Sequence, residues 1–108
     1  MSKVNAKHAA PLAAALKAAP SVASPGWMKV VQIAIYIVSA LSKVKRAWAR
    51  FRENLSVDER ARVTELMLRT KDRDHPISRD EQRELVRLVC KGLGLNWGDD
   101  GVGVPAVA

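Results

Sequence analysis

The sequence predicts an all-α chain in which one long helix over about 27–55 is packed by a capped helical hairpin, about 56–70 and 78–91. A flexible Ala/Pro-rich N-terminal arm precedes this core and a Gly-rich C-terminal tail follows it. Three observations predict this. Trp27, Val30, Ala34, Ile37, Leu41, Val44, Trp48, Phe51 and Leu55 recur at alternating spacings of 3 and 4, the spacing of one helical face. The pattern Ser-x-x-Glu occurs twice, at Ser56–Glu59 and Ser78–Glu81, each time ahead of an apolar periodic run. No Gly or Pro interrupts 27–55, whereas Pro25-Gly26 breaks the chain just before it.

Residues 1–25 are Ala-rich and carry Pro11, Pro20 and Pro25 with few large apolar side chains. Pro11 suits the first turn of a short helix through Ala19, yet Leu12 and Leu16 offer little to bury, so a flexible arm is expected. A signal-peptide reading would use Val30–Val38 as its apolar run and Val38-Ser39-Ala40 as its cleavage site. The long lead before that run and the cations just after it argue against export.

The long helix has two characters. In its first half Val31, Ile33, Ile35 and Val38 lie off the seam, so the surface is apolar nearly all round and must be buried nearly all round. A strand over 31–38 is the competing reading of this β-branched run; the seam continuing in register through Leu55 favours helix. In the second half Lys43, Lys45, Arg46, Arg50 and Arg52 surround an apolar face of Val44, Trp48 and Phe51.

The two Ser-x-x-Glu boxes belong to a repeat offset by 22 residues, Leu55-Ser-Val-Asp-Glu against Ile77-Ser-Arg-Asp-Glu. In each, the Ser hydroxyl accepts from the N–H three residues on and the Glu carboxylate returns to the Ser N–H, which fixes two helix starts. Asp58 and Asp80 suit the positive ends of the helix dipoles, and Gly92 is expected as the second stop. The facing stripes are Val63, Leu66, Met67 and Thr70 against Leu85, Leu88, Val89 and Cys90. A pair this short needs the long helix as a third wall.

Length then sets the functional expectation. The helix spans about 43 Å and each hairpin arm about 22 Å, so the hairpin covers the second half and leaves the first half bare. Trp27, Val30, Val31, Ile33, Ile35, Ile37, Val38 and Leu41 are therefore the expected docking surface, for a partner protein, a second copy or an anionic membrane surface. Val30–Leu41, at about 18 Å, is too short to cross a hydrocarbon core of about 30 Å. A cytoplasmic protein peripheral to the membrane follows, with domains at 1–25, 26–95 and 96–108.

Charge supports a polyanionic partner. Residues 1–54 hold nine Lys and Arg against Glu53 alone, whereas 55–108 hold nine against ten acids, so the net charge of +7 sits in the N-terminal half. Lys43, Lys45, Arg46, Arg50 and Arg52 are the candidates for phosphate or headgroup contact, and nucleic-acid or ribosome binding through 43–52 is the alternative function. On the apolar seam, Trp48 and Phe51 read as core rather than as stacking platforms.

No enzyme is expected. His8 and His75 have no nucleophile or ligand at useful spacing, Cys90 stands alone inside a helical pattern, and Asp99-Asp100-Gly101 lacks the remaining ligands of a calcium loop. No catalytic residue, cofactor, metal or small-molecule substrate is assigned.

Overall fold

The computed structural model describes residues 6–19, 22–72, 74–97 and 103–104. In chain order these form α1 (Ala6–Ala18), α2 (Trp27–Leu41), α3 (Lys45–Glu53), α4 (Val57–Thr70) and α5 (Arg79–Leu93). Two-residue strands, β1 (Asn96–Trp97) and β2 (Gly103–Val104), pair antiparallel with Asn96 opposite Val104. The fold is all-α; this short ladder lies within the expected tail.

The helix α5 is the axis, and α1, α2, α3 and α4 all lie against it. Its buried residues Leu85, Val86, Leu88, Val89, Cys90, Gly92 and Leu93 occupy an arc wider than the single stripe of a two-helix contact. The hairpin forms as its punctuation dictates. Ser56 Oγ accepts from the Glu59 N–H at 3.2 Å while Glu59 Oε1 accepts from the Ser56 N–H at 2.8 Å. Ser78 and Glu81 repeat the exchange at 3.2 and 2.9 Å. The stop is two residues later than expected: α5 runs through Gly92 and ends at Gly94, whose φ of 81° is the left-handed conformation that glycine adopts without strain. Gly92 serves packing instead, because a Cβ there would lie 2.3 Å from Phe51 Cε2.

The long helix is divided. It breaks at Ser42–Val44, and α3 leaves α2 at 119°. The Lys43 and Val44 N–H groups donate three residues back, to Ala40 and Leu41 at 3.2 and 2.9 Å, tightening the last turn of α2. Ser42 Oγ donates to the Ser39 carbonyl at 2.8 Å, and Val44 is extended at φ −118°, ψ 105°. The physical reason lies in α5. At 15 residues it is about 22 Å long, and a straight 27–55 helix would overrun it by half; bending lets both halves pack on the same wall. The seam slips accordingly. Val44 is exposed, Ala47 is buried in its place, and Phe51 and Leu55 remain in the core.

Within the expected arm, Ala6–Ala18 forms a helix. Here α1 packs on α2 and α5, with Ala9, Leu12, Leu16 and Ala19 all buried. Two leucines suffice because the alanines between them let the backbones approach closely.

Candidate functional site

The surface expected over 27–41 is core. Trp27, Val30, Val31, Ile37, Val38 and Leu41 are each at most 5% exposed, and Ile33 and Ile35 are half-buried against the same cluster. The cover missing from the sequence argument is α1 on one side, with α5 on the other. Trp27 is further fixed by its indole N–H, which donates to Gln82 Oε1 at 3.2 Å. What α2 turns to solvent is Met28, Lys29, Gln32, Tyr36 and Ser39, a mixed face with no continuous apolar patch. Among the described residues no single helix is long and apolar enough to cross a membrane. The bent pair α2 and α3 meets that test only by length and composition, and much of its apolar surface is core.

The basic set is arranged differently. Lys43 lies in the joint, and Lys45, Arg46, Arg50 and Arg52 lie on α3; all five are exposed. None of the five enters an ion pair among the described residues. Lys45 and Arg46 stand in the first turn of α3, which holds no acid, and Val44 makes no side-chain cap. Cations at the positive end of a helix dipole work against the helix. A bound anion there would reverse the sign of that interaction.

Trp48 lies at the border of this face. On the helical period it is flanked by Lys45 three residues before and Arg52 four after, and it is half-buried, stacked on the fully buried Phe51 with ring centroids 5.3 Å apart and planes 9° apart. The corner between α3 and the start of α4 opens there as a groove of about 230 Å³. Trp48, Phe51, Leu55 and Val63 supply its apolar part, and Arg52, Arg60 and Thr64 its polar part. Arg60 Nε donates to the Arg52 carbonyl at 2.8 Å, fastening α4 to α3. Its two terminal nitrogens have no protein partner among the described residues. Sequence reasoning missed Arg60 and Thr64 because only the α3–α4 corner brings them to Trp48; the available signal was the Lys45, Trp48, Arg52 spacing.

In the hairpin, three carboxylates hold the two arms together. Arg62 donates from Nε and Nη2 to the two oxygens of Glu84 at 2.9 and 2.8 Å, which keeps the Glu84 carboxyl below its ordinary value and raises Arg62 above its own. Lys91 Nζ donates to both Glu59 oxygens at 2.9 and 2.8 Å; with the Ser56 N–H it lowers the Glu59 pKa. Glu81 is lowered first by the Ser78 N–H, with a further contribution from its pair with Arg69. The cap residues thus also fasten the two arms together. Burial pushes the Cys90 thiol up to about 12, so it stays protonated and inert. His75 meets Asp72 Oδ2, 3.1 Å away in the exposed turn, and no group of three metal-ligating side chains occurs among the described residues. Asp99, Asp100 and Gly101 lie outside the described residues.

No protein family, curated protein or solved structure matches the chain.

Proposed function

We propose that this chain is a non-enzymatic, basic helical module that binds nucleic acid through α3 and the joint before it. One observation carries the reading: Lys43, Lys45, Arg46, Arg50 and Arg52 project from one short segment with no carboxylate partner among the described residues, while Arg62, Arg69 and Lys91 of the hairpin are held in ion pairs. Unpaired cations concentrated on one face are the electrostatic footprint of a phosphate-binding surface. Docking through 27–41 onto a partner, a second copy or a membrane would first require α1 to leave α2, so the exposed cations are preferred.

The test is fluorescence anisotropy of labelled RNA and DNA against the full chain over a range of salt. Five phosphate contacts give a log–log salt slope of about −4.5 on duplex and about −3.5 on single strand. Lys43→Gln, Arg46→Gln and Arg50→Gln together should reduce that slope by about 2–3. Absence of salt-dependent binding to any nucleic acid overturns the reading, as does binding confined to vesicles of anionic lipid.

A further inference from the structure

We infer that the groove at the α3–α4 corner receives one unpaired base of a single strand, laid against Trp48, while Arg52 and Arg60 take the adjoining phosphates. The inference rests on the nucleic-acid reading above and deepens it from polyanion binding to a preference for strands with free bases.

Four features meet at this corner. Trp48 is a large aromatic residue that is only partly covered, packed against the core at the edge of the cationic face, and its ring is held flat on Phe51. A platform fixed in this way loses little freedom when a base stacks on it, and stacking accepts any base because every base has a π-face. Arg52 and Arg60 border the same groove, and the Arg60 guanidinium is already oriented by its bond to the Arg52 carbonyl. A planar guanidinium can meet a phosphate in two parallel bonds or lie against a base. The two acids in the first turn of α4 do not oppose this. Glu59 is occupied by Lys91 and by the Ser56 N–H, and Asp58 lies across the helical period from Arg60, on the far side of α4.

Size separates the two kinds of nucleic acid. At about 230 Å³ the groove falls below the range of about 300–1,000 Å³ typical of sites that enclose drug-sized ligands, and suits a single flat ring. A duplex keeps its bases stacked inside and offers this concavity only sugar and phosphate. It would touch the cations of α3 and leave the apolar floor to water. A single strand can splay a base into the groove and keep the same phosphates on α3.

The deciding experiment uses the full chain and three labelled probes of equal length: a single-stranded oligo-dA, the same strand paired as a duplex, and a single strand of abasic sites with identical phosphates. The expected order is oligo-dA tightest, with the abasic strand weakened about 5- to 150-fold, the range that loss of one base–aromatic stack produces. Trp48→Ala should weaken oligo-dA by the same factor without changing abasic or duplex binding, and Trp48→Phe should restore most of the loss. Because the abasic comparison is made on the unaltered protein, it decides the matter even if Trp48→Ala fails to fold. Equal salt-dependent binding of all three probes overturns the base-binding inference alone. Failure of all three to bind overturns the nucleic-acid reading beneath it.

Discussion

The α4–α5 hairpin and the α2–α3 run are each two consecutive helices, but they are held in opposite ways. Each hairpin helix starts at a reciprocal cap with two acids in its first turn, and Arg62, Arg69 and Lys91 are tied across to Glu84, Glu81 and Glu59. Neither α2 nor α3 has a side-chain cap or an acid in its first turn. Their positions are set by α5, which receives Phe51 against Gly92 and accepts a 3.0 Å hydrogen bond from Asn54 Nδ2 at the Gly92 carbonyl. The hairpin is specified locally and α2–α3 by tertiary contact. That difference leaves one basic face without an ion pair among the described residues.

The largest effect should come from breaking the tertiary side of this comparison. Phe51→Ala empties a site 1% exposed and should cost about 3–5 kcal/mol, a large share of the roughly 5–15 kcal/mol that holds a domain of this kind. Gly92→Ala would ordinarily favour a helix interior by about 1 kcal/mol. Here the added methyl meets the Phe51 ring, so it should cost about 1–3 kcal/mol. Phe51→Leu should reduce the cost of Gly92→Ala, because the two residues share one contact. Urea unfolding of the single and double variants measures the coupling; strict additivity would mean that α3 is not fastened at this point.

The same division explains what could be read from the chain. Ser56, Glu59, Ser78 and Glu81 were legible because a capping box is complete within four residues, and Val63, Leu66, Leu85, Leu88 and Val89 follow from those starts. The break at Ser42–Val44 was not legible. Apolar spacing continues through Val44 whether or not the backbone does, and the bend is imposed by the length of a wall that begins more than thirty residues later. Leu12 and Leu16 were undervalued because an Ala-rich helix buries area through close backbone approach, and discounting them made the core face of α2 look like an open surface. Composition alone identified the five cations. The groove beside them needed Arg60 and Thr64 from another helix.

A second break concerns α1, an Ala-rich helix that carries Pro11 inside it. Leu12→Ala should cost about 2–4 kcal/mol because Leu12 is 0% exposed between α1 and the rest of the core. If α1 were a dispensable arm, denaturant midpoints would not move. The variant also tests the covered face of α2: weakening α1 should raise binding of an apolar dye in step with the loss of stability.

Acid should act mainly on the hairpin. Glu59, Glu81 and Glu84 all have folded pKa values below the ordinary 4.5. Each carboxylate therefore stabilises the fold fully above about pH 4.5, and that contribution is lost as pH falls through the lower folded values. Urea midpoints should be flat from pH 7 to about 5 and then decline. Glu84→Gln should lower the midpoint at pH 7 by an amount equivalent to about 1 kcal/mol or less, since the pair with Arg62 is about one-third exposed, and should make the acid limb shallower. An unchanged acid limb in this variant would remove Glu84 from the account.

The smallest expected change is also the most pointed, because it gives α3 the punctuation that α4 and α5 already possess. Val44 is 47% exposed and occupies the cap position with φ −118° and ψ 105°, in the extended region that capping residues adopt. Val44→Asp alters a side chain outside the buried core, offers a carboxylate to the N–H groups of the first turn, and sets a negative charge beside Lys45 and Arg46 at the positive end of the dipole. It should stabilise the chain by about 0.5–1 kcal/mol, against a loss of about 1 kcal/mol for removing a cap by Ser56→Ala or Ser78→Ala. The same carboxylate stands within the cationic face and should weaken oligonucleotide binding while the protein becomes more stable. A fall in both stability and binding would mean that Val44 packs in a way its exposure does not reveal; a rise in stability with binding untouched would separate the α3 cations from the nucleic-acid contact.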